Sequence, residues 1–178
     1  MDPLRIIEKY YVGQPELQQL LLRHSTAVAE RALRIADAHP ELCLDKDFLW
    51  EAAMLHDIGI VRTNAPSILC TGNEPYICHG FIGAEMMRSE GYERHALVCE
   101  RHTGTGLTLE QIISNRWPLP HRDMQPVSME EKVICYADKF YSKTRLDHEK
   151  SVEEARKSLL KFGEAGIEKF DRWNKLFG

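Results

Sequence analysis

The sequence predicts an all-α fold, a bundle of amphipathic helices, and three stretches carry that expectation. Leu17, Leu20, Leu21, Ala27, Val28, Ala32 and Ile35 recur at three- and four-residue steps between Glu16 and about His39. Phe48 to Leu55 combines strong helix formers with apolar side chains. Ser128 with Glu131 three residues later matches a capping box that opens a further helix.

The elements follow in chain order. The first stripe carries His24 among its apolar positions, so this imidazole is expected to face the core. The helix over 48–55 delivers His56-Asp57 near its end, with Gly59 as the expected terminating residue. Asn64, Pro66, Gly72, Asn73 and Pro75 punctuate 61–77, which predicts a long loop of the kind that rims a functional site. Helical signals resume over His79 to Glu90 and Glu93 to His102, separated by Gly91, with Gly83-Ala84 offering small residues for close packing. A short helix near Leu109–Asn115 precedes a Pro-rich connection, Trp117 to Pro126, expected to be irregular and exposed. The capped helix is expected to align Ile134, Asp138, Tyr141 and Arg145 on one stripe. Val152 to Phe162 and Ile167 to Phe177 read as amphipathic helices anchored by Phe170, Trp173 and Phe177, support rather than chemistry.

A chain of 178 residues without repeats or Gly/Ser linkers suits one domain over 1–178, able to bury a core unaided. Apolar residues at 43% and charged residues at 28% are ordinary for a globular protein, and no run is long enough to cross a bilayer. No basic segment followed by an apolar run opens the chain, so a cytoplasmic location is expected. The five cysteines form no C-x-x-C pair and fit reduced thiols. A net charge of -4 without a basic stripe disfavours polynucleotide binding. A homodimer is the default assembly, on the frequency of two-fold oligomers alone.

A carboxylate on a core-facing helix needs a basic partner or a cation, which leaves Asp138 with an ion pair or a metal. A lone imidazole such as His24 is as readily a hydrogen-bonded core residue as a ligand. Taken together, His24, His56-Asp57 and Asp138 all point inward from separate helices, the way bundles build metal sites. Mixed nitrogen and oxygen donors suit iron, manganese, zinc or magnesium better than copper, and no thiolate pattern competes.

These residues resemble the HD superfamily pattern, His…His-Asp…Asp, and Leu55-His56-Asp57-Ile58-Gly59 reproduces its His-Asp-Ile-Gly variant. The resemblance extends from about Leu21 to Arg145 and takes in His79-Gly80, His102-Thr103-Gly104 and Tyr136-Ala137-Asp138-Lys139. It implies an HD-domain bundle around a mono- or dinuclear divalent metal site. The implied ligands are His24, His56, Asp57, His79, His102 and Asp138, with Asp57 bridging two ions. His79 and His102 have helix-end or surface positions as the alternative reading. The implied activity is phosphohydrolysis of an ester or anhydride, in which hydroxide formed at the cations attacks phosphorus, with His56 and Asp57 at the catalytic centre.

Arg62, Lys139, Lys143 and Arg145 are the substrate-phosphate candidates by position, each of which could equally be a solvated charge. A small phosphorylated metabolite or nucleotide is the implied partner. Relatives that cleave cyclic dinucleotides carry a Lys where this chain has Ile60, and their Gly-Tyr-Pro signature is missing. The spacing around His79, His102 and Asp138 is similar to HD-type hydrolases of diadenosine tetraphosphate. Two other readings stay open: a di-iron oxygenase on the same fold, with the same type of ligand set, and a non-catalytic nucleotide-binding module.

Overall fold

A computed structural model describes all 178 residues. Nine helices run in order: α1 (Pro3–Tyr10), α2 (Pro15–Ala38), α3 (Lys46–Leu55), α4 (His79–Ser89), α5 (Glu93–Arg101), α6 (Leu109–Ser114), α7 (Met129–Asp138), α8 (Val152–Ser158) and α9 (Glu164–Phe177). No helix is long and apolar enough to cross a membrane.

Helix starts follow the side chains available to receive the first amide protons. Asp45 accepts from the Phe48 amide at 3.0 Å and opens α3. The capping box expected at Ser128 and Glu131 opens α7, and Thr108/Gln111 and Ser151/Glu154 do the same for α6 and α8. The α2 stripe buries Leu17, Leu20, Leu21, Val28, Ala32 and Ile35 as the periodicity predicts, and packs on α3 and α7. One contiguous apolar core extends from Ile6 through α2, α3, α5 and α7 to Phe170, Trp173 and Phe177.

Five features differ from the sequence expectations. Residues 61–77 are not a featureless loop: β1 (Thr63–Ala65) pairs antiparallel with β2 (Cys70–Thr71) and parallel with β3 (Glu74–Pro75), in the order β2-β1-β3. Strands of two or three residues are too short to leave an alternation in sequence.

Gly59 does not terminate α3; it lies within a 3-10 turn over Ile58–Arg62. A Cβ on Gly59 would come within 2.1 Å of the His79 carbonyl oxygen and 2.5 Å of the Gly83 amide nitrogen, so the residue is needed for backbone contact with α4.

The stripe expected from Ile134 to Arg145 stops at Asp138, where α7 ends, so Tyr141 and Arg145 lie beyond the helix. The connection over 117–126 is irregular but not wholly exposed: Leu119 and Met124 are buried, and Met124 bridges to Leu107. The C-terminal region does more than support the bundle, because its turn over Leu160–Phe162 forms part of a cavity wall.

Gly59→Ala is expected to lower the unfolding free energy by about 3 kcal/mol, an overpacking cost against backbone that cannot yield. Chemical denaturation measures it, and an unchanged midpoint would refute the contact.

Candidate metal centre

Five of the six expected ligands sit at helix ends. His56 and Asp57 follow α3, His79 begins α4, His102 follows α5 and Asp138 closes α7, while His24 projects from the middle of α2. The α2 stripe, the end of α3 and the end of α7 converge because these helices pack on one another around the shared core. The 58–62 turn brings α4 against the same point, and Tyr11 fixes that turn by donating its hydroxyl proton to the Ile58 carbonyl at 2.9 Å.

Helix ends also set the imidazole tautomers, since carbonyls there run out of intrahelical donors. His56 Nδ1 lies 2.6 Å from the Ala53 carbonyl, His79 Nδ1 2.7 Å from Tyr76, and His102 Nδ1 2.7 Å from Cys99. In each ring the Nδ1 proton is donated to the carbonyl three residues back, which leaves Nε2 aimed inward as the ligand atom. His24 lacks this device; its Nδ1 is buried without a partner. Tyr76 stacks on His79 with ring centroids 4.6 Å apart.

Asp57 stands at the centre and is fully buried. Its Oδ2 lies 3.0 Å from His24 Nε2 and 2.9 Å from His56 Nε2, and its Oδ1 lies 3.3 Å from both His79 and His102 Nε2. Asp138 Oδ1 completes the first set, 3.1 Å from His24 and 3.4 Å from His56. Two clusters therefore share one carboxylate: His24, His56, Asp57 and Asp138, and Asp57, His79 and His102.

The donor set fits a divalent cation. Both Asp57 oxygens and His56 Nε2 are buried with no hydrogen-bond partner despite these short separations. His79 and His102 bring two Nε2 lone pairs to 3.1 Å, an arrangement that is repulsive unless a positive charge lies before them.

Ionisation follows the same geometry. Burial would raise the Asp57 carboxyl, but the charges of His56 and Lys143 hold it well below the ordinary carboxylate range. Asp138 is likewise held down by Lys139, His24 and His56 against burial. Burial pushes His79 down to about 3, whereas Asp57 and Asp138 overcome burial at His56 and raise it to about 9.

A cavity of about 450 Å³ opens over the second cluster, lined by His79, His102, Asp138, Tyr76, Ile68 and Lys143 among others. Lys143 Nζ reaches Asp57 Oδ2 at 2.5 Å. Lys139 is buried, donating to Asp138 Oδ2 at 2.7 Å and to the His102 carbonyl at 3.0 Å, so it ties the ends of α5 and α7 together at the cavity edge. Arg62 is exposed and does not line the cavity, and Arg145 lies in a separate shallow depression beside Arg23. The 61–77 segment lines the cavity through Ala65, Ser67, Ile68 and Tyr76, whereas of 104–127 only Gly104 does. Lys150 and Lys161, not singled out in sequence, also line it; a lysine beyond the helical motifs carries no signal that separates it from a solvated charge.

The model of the HD domain family matches residues 21–143. The chain belongs to the HD domain family. That membership and the His/Asp cluster fit a metal-dependent hydrolase. Among curated proteins, this HD domain chain is 36% identical over 121 residues to an uncharacterised protein of Methanocaldococcus jannaschii, covering 66% of this chain and 64% of that one. It is 34% identical over 128 residues to a tRNA (cytidine(56)-2'-O)-methyltransferase of Picrophilus torridus, covering 71% of this chain and 33% of that protein. The chain thus spans less than two thirds of the length of either relative. No solved structure matches the chain.

His56 makes cation uptake pH-dependent. Its raised pKa of about 9 means that a proton occupies the Nε2 position below that pH and must leave for a cation to bind. Mn²⁺ affinity is expected to climb from pH 6 to about 9 and then level, by up to about tenfold per pH unit. Titration calorimetry in buffers of different ionisation enthalpy should find close to one proton released per cation at pH 7.5. No release would refute the assignment of His56 as a ligand.

Proposed function

We propose that the chain is a divalent-metal-dependent phosphohydrolase acting on a phosphate ester or anhydride of a small metabolite, of nucleotide or dinucleoside polyphosphate type. The observation that carries this reading is the pair of clusters sharing a buried Asp57, with a lysine-lined cavity open above them. His24, His56, Asp57 and Asp138 would hold one cation and Asp57, His79 and His102 a second, with iron, manganese, zinc or magnesium as candidates. Cations bound there supply charge neutralisation for phosphoryl oxygens and lower the pKa of water to near neutrality.

The chain's own groups supply the remainder. Asp57, held ionised and common to both clusters, would be a ligand to either site and would orient water there. The carbonyls of Ala53, Tyr76 and Cys99 keep three imidazoles aimed inward and spare the site any reorganisation. Lys143 is placed to meet a negatively charged substrate group beside Asp57. Five free thiols support a reducing compartment such as the cytoplasm.

Methyl transfer is named for a relative of which this chain matches a third, so that activity is not carried over. The shared carboxylate also suits a di-iron oxygenase, but the cationic cavity favours an anionic substrate and hydrolysis.

A screen of p-nitrophenyl phosphate, mononucleotides and dinucleoside polyphosphates with Mn²⁺-loaded protein under anaerobic conditions tests the reading. Turnover without oxygen is expected, and Asp57→Ala should reduce it by about two orders of magnitude or more. Turnover that needs oxygen and iron would replace hydrolysis with oxygenation. Hydrolysis undiminished in Asp57→Ala would place the chemistry elsewhere.

A further inference from the structure

The outer wall of the cavity lies beyond the HD domain match, which ends at residue 143. This wall comes from 144–162 and presents Lys150, Lys161, Thr144 and Ser158 to the interior. The other two lysines of the cavity are already engaged, Lys139 with Asp138 and Lys143 with Asp57. Lys150 and Lys161 make no ion pair, and Lys161 lies only over its neighbour's ring, 5.2 Å from the Phe162 centroid.

The chain as a whole is anionic, yet this cavity gathers four ammonium groups around a lining whose sole carboxylate is Asp138. Burial holds Lys150 below its usual range, and the charges of Lys139, Lys161 and Lys143 add to that against Asp138. Unpaired cations collected in one concave site are a binding site for anions.

The wall is anchored rather than loose. The Lys150 amide donates to the Phe140 carbonyl at 2.8 Å, and the Gln111 side-chain amide donates to the Phe162 carbonyl at 2.8 Å. The Phe162 ring lies against Gly104, where a Cβ would stand 3.1 Å from it. Gly104 also has a φ of +60°, so glycine serves both the turn and the docking of the wall.

We propose that Lys150 and Lys161 form a second phosphate subsite, so that the cavity prefers substrates carrying a further phosphate group besides the one presented to the His/Asp clusters. The inference rests on the phosphohydrolase reading of those clusters. A diphosphate or bisphosphate of nucleotide size matches the volume of about 450 Å³. Monophosphates would leave both lysines unmatched.

The test is calorimetry of Mn²⁺-loaded protein, freed of excess cation, with methylenediphosphonate and with methylphosphonate as non-hydrolysable probes. The wild type is expected to bind the diphosphonate at least about tenfold tighter, the scale of one charge-assisted contact. Lys150→Gln/Lys161→Gln should bring the ratio to within about threefold, whereas Lys157→Gln/Lys175→Gln, an equal loss of charge outside the cavity, should keep it. Loss of affinity for both probes alike in the double variant would reduce the lysines to a general field and overturn the subsite, as would an unchanged ratio. If the double variant misfolds by circular dichroism, Lys161→Gln carries the test, because its ammonium makes no hydrogen bond or ion pair and the ratio should still fall by about threefold.

Turnover by the wild type of any member of the screen, from p-nitrophenyl phosphate to dinucleoside polyphosphates, judges the underlying reading separately. A lysine-dependent ratio without turnover sinks hydrolysis and keeps the subsite; turnover with a lysine-independent ratio does the reverse.

Discussion

A carboxylate with no solvent exposure and no hydrogen bond to either oxygen is among the most expensive groups a fold can carry, and Asp57 is such a group. Four imidazoles and one ammonium surround it within 3.3 Å, yet none of the imidazoles meets an Asp57 oxygen in hydrogen-bond geometry. A site optimised for stability alone would turn one of these rings to donate. Three of the imidazoles are instead locked by carbonyls on their far side, so the Nε2 atoms that crowd Asp57 are placed there by the backbone. A divalent cation would relieve that crowding, at a point fixed by the packing of the helices on their shared core.

Helix ends make this possible. An interior helical position offers no free carbonyl, whereas His56 and His102 sit one residue past a helix and His79 opens one after a 3-10 turn. Asp138 and Lys139 use the end of α7 in the same way, with the ammonium placed where the helix dipole is negative and bonded to the His102 carbonyl. Arg101 adds a second tie, donating to Glu131 at 3.0 Å and so joining the end of α5 to the start of α7. The helices that carry His102 and Asp138 are therefore tied to each other at two points.

The helices and the His/Asp residues that come together were legible in sequence because both rest on local chemistry. The α2 stripe, the Ser128/Glu131 cap and the adjacent His56-Asp57 are patterns of a few residues, and the structure brings all six expected ligands into two clusters around Asp57. What was not legible depends on distant partners. The role of Gly59 is set by His79 and Gly83, the strands over 63–75 are too short for a period, and α7 ends at Asp138 although the sequence continues its stripe. Arg62 and Arg145 were near the motifs in sequence but project elsewhere, while Lys150 and Lys161 reach the cavity only through the docking of the last third of the chain.

The boundary at residue 143 divides two kinds of structure. Before it lie the six expected ligands, on or beside helices that pack around Asp57. After it lies a wall held by backbone contacts to Phe140, Gln111 and Gly104, which can change its side chains without disturbing Asp57. Reactivity requires the first part to be rigid, because a misplaced lone pair leaves a buried charge unpaired. Selectivity makes no such demand on the second. A bundle of this design could keep one His/Asp centre, readable from a motif, and exchange the side chains that line the cavity above it.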